Sequence, residues 1–149
     1  MTMAAPASSP DIQSSDLVDP RLLGVWSREH LAGPAAVGND ARMIYLPDQR
    51  GRYETWAGGL TEVITFRWKL PASRCVSMEG IEYIFRDKPA GVRREPCDWN
   101  FPAVPYEISV EQAPAGSDMP VLRLRFSASR CDVYGLVTSD LTGWEDFRF

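Results

Sequence analysis

The feature that most constrains the fold is an alternation of apolar and polar side chains along residues 60–70. Every second position is apolar with one exception, and these apolar residues are Leu60, Ile64, Phe66, Trp68 and Leu70. Successive side chains of a β-strand point to opposite faces, so a period of two indicates a strand with one buried face. The exception is Glu62, which places a carboxyl group on the apolar face. We therefore predict a half-buried antiparallel strand in this stretch.

Short runs of the same kind recur along the chain, separated by Pro, Gly and Asp residues that are typical of turns. The predicted strands cover residues 24–29, 41–46, 52–57, 60–70, 75–78, 81–86, 106–110, 120–127, 132–138 and 141–149. Apart from a short helical turn at residues 16–23, no stretch keeps a helical period. Eight to ten short strands without helices between them predict an all-β fold. Short hairpin links favour a single up-and-down antiparallel β-barrel over a Greek-key sandwich.

The two ends of this strand series define the expected domain. We expect residues 24–29 and 141–149 to pair edge to edge and close the barrel, with the turn at residues 16–23 plugging one end. A chain of 149 residues is long enough for one core and short for two domains. Because residues 1–15 are rich in Ala, Ser and Pro, we predict a flexible tail there and the barrel domain over residues 16–149.

Composition excludes several classes of function. No apolar run approaches the roughly 20 residues that a membrane helix needs, and the net charge of −4 comes from interspersed signs, which argues against a nucleic-acid groove. Neither a basic leader nor a long apolar signal core begins the chain, so we expect a cytoplasmic protein. Cys75, Cys97 and Cys131 show no CxxC spacing, and we expect reduced thiols, with a Cys75–Cys97 bridge as the alternative.

At this point the chain resembles the lipocalin-like (calycin) group of β-barrels. The resemblance rests on Gly24-x-Trp26 in the first strand, on the meander of hairpins, and on Arg148 near the end of the chain. It implies that Trp26 plugs the closed end of the barrel and that Arg148 packs across its ring as a cation–π contact. Since the Thr-Asp-Tyr run and the disulfide of the secreted lipocalins are not visible, a cytoplasmic relative of bacterial type is implied.

The barrel interior is the expected binding site. A barrel of this size has room for side chains and one small apolar ligand. The predicted lining residues are Tyr45, Glu62, Ile64, Phe66, Trp68, Tyr83, Phe85, Leu124 and Phe126. Glu62 would orient the ligand, with Arg28 or Tyr45 as its partner. The alternative is that these aromatic side chains form a plain packed core and that Glu62 reaches water at a strand end.

Two stretches lack a strand period and are predicted to be loops. Residues 31–40 fall where lipocalin-like proteins place a lid over the open end. Residues 87–105 carry Trp99 and Phe101, which would close over the mouth or contact a protein partner or a second copy of the chain. The alternative is that both rings only fasten this loop to the barrel wall.

Motifs for catalysis are missing from the sequence. His30 is the single histidine, and the three scattered cysteines do not give zinc spacing, so we expect neither a metal nor a cofactor. No nucleophile elbow, phosphate loop or dinucleotide fingerprint occurs, and no catalytic residue is assigned. Three hypotheses follow: a binding protein for a small apolar ligand, a cofactor-free cyclase or isomerase using Glu62 and a Tyr, and an interaction protein with a filled barrel.

Overall fold

The computed structural model describes residues 19–33, 39–57, 60–87, 91–113 and 116–145. Within these residues the chain forms nine strands, one 3-10 turn (Pro20–Leu22) and one short helix, α1 (Arg28–Ala32). The strands are β1 (Gly24–Ser27), β2 (Asn39–Tyr45), β3 (Arg50–Ala57), β4 (Leu60–Ala72), β5 (Cys75–Asp87), β6 (Gly91–Pro96), β7 (Asn100–Gln112), β8 (Asp118–Arg125) and β9 (Cys131–Thr138). No helix in the described ranges is long and apolar enough to cross a membrane.

Eight of the strands form a closed antiparallel ring. Pairing runs from β1 through β2, β3, β4, β5, β7, β8 and β9, and β9 pairs back onto β1. Strand β6 pairs with β5 at Glu82–Asp87, while β7 pairs with β5 at Cys75–Glu79, so β6 lies outside the ring. The prediction of an all-β antiparallel barrel is confirmed.

The strand that closes the barrel differs from the prediction. In β9, Leu136 lies opposite Trp26 of β1, whereas residues 141–145 form a turn rather than a strand. Leu141 and Trp144 pack on the outer wall against a small apolar cluster of Val25, Ile44 and Leu46. Leu141 and Trp144 therefore cover part of the outside of the barrel. Residues 146–149, including Arg148, lie outside the described residues.

The predicted hairpin at Glu79 and Gly80 is wrong, because β5 runs through both residues. Gly80 lies at a β-bulge opposite Phe66. A Cβ atom at Gly80 would lie 2.8 Å from both Cys97 Sγ and Trp99 Cβ. The glycine thus permits close approach of a neighbouring segment rather than a turn.

The loop predicted at residues 87–105 is also wrong where the structure describes it, since β6 and the first part of β7 occupy most of it. Every residue of β6 is exposed. An edge strand with both faces in water carries no apolar alternation, and proline is tolerated at sheet edges. The sequence of β6 therefore carries no period-two signal of a strand.

The first strand ends earlier than predicted, because residues 28–32 form helix α1. Ser27 caps α1: its hydroxyl accepts from the His30 amide at 3.0 Å and donates to the carboxylate of Asp40 at 2.9 Å. The helix packs on the outside of β9 at Gly135, whose added Cβ would lie 3.2 Å from Leu31 Cα. The predicted loop at residues 31–40 thus begins inside α1, and residues 34–38 lie outside the described residues.

The inward faces of the strands fill the middle of the barrel. The fully buried side chains of this core include Trp26, Met43, Tyr45, Phe66, Met78, Leu122, Leu124 and Tyr134. The indole N–H of Trp26 donates to the carbonyl of Leu22 at 2.9 Å, which ties β1 to the 3-10 turn. Tyr106 fastens the same turn by donating its hydroxyl to Asp19 Oδ2 at 2.8 Å. The end of the barrel at this turn is called the base below.

Candidate ligand-binding site at the upper end of the barrel

Four partly buried aromatic rings meet inside the upper end of the barrel, the end where β3 connects to β4 and β8 to β9. The ring centroids of Tyr53 and Trp99 are 5.4 Å apart, those of Trp99 and Phe101 5.5 Å, and those of Phe101 and Phe126 5.1 Å. Below them lies the buried ring of Phe66, 6.5 Å from Trp99. We call Tyr53, Trp99, Phe101 and Phe126 the ring cluster. Because its members keep some exposure, the cluster offers aromatic surface that the core below does not.

Asp132 places a buried carboxylate beside the ring cluster. It lies opposite Leu124 in the β8–β9 ladder and is only 6% exposed, so its side chain faces the interior. Arg28 lies 3.3 Å from its Oδ1 and Arg130 3.1 Å from its Oδ2. Tyr134 donates its hydroxyl to Oδ2 at 3.3 Å. We call these four residues the Asp132 centre.

The two arginines also contact aromatic faces. The guanidinium carbon of Arg130 lies 4.6 Å from the Phe126 centroid, and that of Arg28 lies 5.7 Å from the Tyr134 centroid. Both side chains are about half exposed, at 57% and 47%. Such cation–π geometry orients each guanidinium without using its N–H donors. The Asp132 centre thus joins the ring cluster to donors that solvent or a ligand can reach.

Burial raises the pKa of the two nearby tyrosines, which are protonated at neutral pH in any case. It raises the pKa of Tyr134, and the Asp132 carboxylate adds to that shift. Burial likewise raises the pKa of Tyr53 above its ordinary value. Both phenols are therefore hydrogen-bond donors at neutral pH.

A second polar pair lies on the inward face of β4 and β5. Tyr83 donates its hydroxyl to Glu62, and this hydrogen bond, together with burial, raises the pKa of Tyr83 to about 12. Glu62 is half-buried, and its partner is Tyr83 rather than the expected Arg28 or Tyr45. Phe85, opposite Glu62 in the ladder, packs on Tyr83 with centroids 4.9 Å apart.

The predicted lining residues divide into two groups. Those that pack in the filled middle of the barrel are Tyr45, Ile64, Phe66, Trp68 and Leu124, all 6% exposed or less. Within this group the ring centroid of Tyr45 lies 5.9 Å from that of Phe66 and 5.5 Å from that of Trp68, in edge-to-face geometry. Those that keep some exposure are Glu62, Tyr83, Phe85 and Phe126. Trp99 and Phe101, predicted as a possible lid, belong to the inward-facing ring cluster at the upper end.

Sequence reasoning did not single out Asp132, Tyr134, Arg130 or Tyr53. The one available signal is the spacing of Asp132 and Tyr134, which puts two polar groups on the same face of β9. The sequence does not say which face of a mixed strand points inward, since β9 has apolar residues on both. Only the pairing with Leu122 and Leu124 decides it.

Metal-ligating residues do not cluster within the described part of the chain, where no group of three or more His, Cys, Asp and Glu residues could hold an ion. Cys75, Cys97 and Cys131 are free thiols, so the alternative of a Cys75–Cys97 bridge is not realised. His30 lies in α1 and is exposed.

Comparisons of the chain with protein-family models, with curated proteins and with solved structures find no match. The closed eight-stranded antiparallel ring is compatible with a calycin-like barrel. The architecture and the side chains of the upper end therefore have to carry any functional argument.

Proposed function

We propose that this protein is a lipocalin-like binding protein that holds a small, largely apolar ligand at the upper end of its barrel. The observation that carries the proposal is the ring cluster beside the Asp132 centre. Ligand sites combine apolar and aromatic walls with a few convergent polar groups, and the mouth of a barrel is a common place for them. The free thiols agree with a reducing cytoplasm as its location.

The chemistry of the upper end favours a planar ligand with a negatively polarised group. Flat rings stack on aromatic side chains at centroid distances of about 4.5–7 Å. At the Asp132 centre two arginines share one carboxylate, so they retain donors and positive charge for an oxygen of the ligand. Tyr53 adds a protonated hydroxyl close to the same place.

A matched pair of probes tests this site. We expect 2-naphthoate to bind saturably, and 2-naphthalenemethanol, which lacks the charge, to bind about fivefold more weakly. Arg130→Gln should remove this preference, because it removes one donor to the carboxylate. Arg125→Gln, an exposed arginine on the outward face of β8, is the matched control and should change nothing. Binding is measured by tryptophan fluorescence and calorimetry.

A further variant separates stacking from charge. Trp99→Leu should weaken both probes, since the ring cluster supplies the flat surface to each. Native mass spectrometry of protein purified from its source should show a co-purifying small molecule that this variant loses. The proposal fails if neither probe saturates, or if Arg130→Gln and Arg125→Gln behave alike.

One observation favours a second candidate, a cofactor-free cyclase or isomerase. Glu62 and Tyr83 form a hydrogen-bonded acid–base pair beside the apolar ring of Phe85. In such an enzyme Glu62 would accept a proton from the substrate and Tyr83 would position the carboxylate. If Tyr83→Phe leaves probe affinity unchanged but abolishes turnover of the co-purifying molecule, this candidate replaces simple binding.

A third candidate, an interaction protein with a filled barrel, is favoured by the tight packing of Tyr45, Phe66 and Trp68 in the middle of the barrel. The probes discriminate here as well. A filled barrel that acts through its outer face predicts no saturable binding of either naphthalene compound.

A further inference from the structure

A cavity lies at the base of the barrel, opposite the upper end. It measures about 320 Å³, and its apolar wall is formed by Leu23, Ile108, Val110, Pro120 and Leu136. We call it the base cup. The 3-10 turn covers the base near Asp19 and Tyr106 but leaves the ends of β7 and β8 open.

The strand register shows why the base cup is apolar. Val110 lies opposite Pro120, and Ile108 opposite Leu122, which is fully buried in the core. Residues two apart on a strand share a face, so Val110 points toward the barrel axis like Ile108. Val110 is nevertheless 69% exposed. An inward-facing valine with that exposure marks an open end of the barrel interior.

A polar cleft of about 310 Å³ adjoins the base cup and shares Arg21 and Ile108 with it. Its other walls include Arg74, Tyr106 and Glu107. Arg21 is engaged by Asp19, which accepts from its Nε at 3.0 Å and its Nη2 at 2.9 Å. The cleft therefore continues the apolar cup into a charged region.

Arg74 and Glu107 provide one charge of each sign in this cleft. Among the described residues neither makes a hydrogen bond or an ion pair through its side chain, and the two are not within ion-pair distance of each other. Because Asp19 already neutralises Arg21, a ligand head with a single charge would pair with only one of these two groups. A zwitterionic head would satisfy both.

We propose that the base cup and its cleft bind a small molecule with an apolar body and a zwitterionic head, as an apolar α-amino acid has. The apolar body occupies the cup against Val110 and Leu136. The carboxylate pairs with Arg74 and the ammonium with Glu107. This site is separate from the ring cluster and does not depend on the function proposed there.

Three probes that share one apolar body test the proposal: L-phenylalanine, 3-phenylpropionate, which lacks the ammonium, and 2-phenylethylamine, which lacks the carboxylate. Binding is followed by methyl chemical shifts of Ile108, Val110 and Leu136, which report on the cup directly. We expect saturable shifts with phenylalanine and about fivefold weaker binding of the other two.

Two charge variants test which residue pairs with the carboxylate and which with the ammonium of the ligand. Arg74→Gln should weaken phenylalanine and leave 2-phenylethylamine unchanged, while Glu107→Gln should weaken phenylalanine and leave 3-phenylpropionate unchanged. Val110→Asp, at a largely exposed position, should abolish binding of all three probes. The proposal is overturned if the methyl chemical shifts of the base cup do not change, or if the only shifts that change belong to the ring cluster. It is also overturned if the three probes bind with equal affinity, or if both charge variants keep full affinity for phenylalanine.

Discussion

Gly51→Ala should destabilise the barrel, because Phe66 occupies the space that a side chain would need. Gly51 in β3 lies opposite Phe66 in β4. A Cβ atom there would lie 2.3 Å from Phe66 Cε2, 2.4 Å from Cζ and 3.0 Å from the carbonyl oxygen of Ile44. Carbon atoms in contact are about 3.5–4.0 Å apart. The ring would therefore have to move by about 1 Å.

Phe66 has little freedom to make that movement. It is fully buried, with Tyr45 at 5.9 Å on one side and Trp99 at 6.5 Å on another, measured between ring centroids. Overpacking a well-filled core costs about 1–3 kcal/mol. We expect the upper part of this range, because a backbone oxygen is crowded as well. Displacement of Phe66 would also reach the ring cluster through Trp99.

Urea unfolding followed by circular dichroism measures the change, and a double-mutant cycle with Phe66→Leu tests its cause. Leucine removes the two ring carbons that clash, so in that background Gly51→Ala should cost less than about 1 kcal/mol, leaving a coupling energy of about 1–2 kcal/mol. The reasoning is refuted if Gly51→Ala costs under about 0.5 kcal/mol alone, or costs the same in both backgrounds.

Three other substitutions test the core, the outer wall and the upper end. Trp26→Phe removes the buried hydrogen bond to the carbonyl of Leu22 and should lower the free energy of unfolding by about 1–3 kcal/mol in urea titrations. If the free energy of unfolding does not fall, the carbonyl of Leu22 has another hydrogen-bond partner in the variant. Glu54 is 3% exposed, and burial raises its pKa above the ordinary 4.5, so its stabilising protonated form is lost as pH rises through that raised pKa. Glu54→Gln should therefore raise the melting temperature at pH 7.5 more than at pH 4.5, and an equal effect at both values would contradict this. Asp132→Asn should lower the free energy of unfolding in urea by about 1–2 kcal/mol, since its two arginine partners are half exposed and become hydrated. A loss above about 4 kcal/mol would show that the two arginines do not become hydrated.

Local patterns in the sequence correctly located most of the ring strands. The alternation over residues 60–70 falls within β4. The turn signal predicted at residues 47–51 is right for residues 47–49, which lie between β2 and β3, but Arg50 and Gly51 already belong to β3. In the sequence, Gly58 and Gly59 separate β3 from β4. The turn predicted at Gly80 is wrong, because this glycine makes room for Trp99 on the neighbouring segment. Glycine is required both in tight turns and where another segment of the chain comes close to the backbone. Only the position of the neighbouring strand shows which of the two applies.

The candidate site shows the same limit of prediction from local sequence. The sequence shows Trp99 and Phe101 in a stretch that lacks a strand period. Their place in the ring cluster, however, depends on Tyr53 and Phe126, which are distant in sequence. Asp132 is an unremarkable acidic residue until β8 fixes which face of β9 points inward. Its two arginines come from α1 and from the β8–β9 turn.

The sequence by itself determined that this chain folds as an antiparallel barrel, because period-two alternation and turn residues act over a few neighbouring positions. The tertiary structure alone decided which strand closes the ring, that the segment with Leu141 and Trp144 covers the outer wall, and which polar groups meet at either end. These outcomes depend on the register and stagger of strands far apart in the chain. A one-residue shift in that register would exchange the inward and outward faces, and nothing local to either strand specifies it.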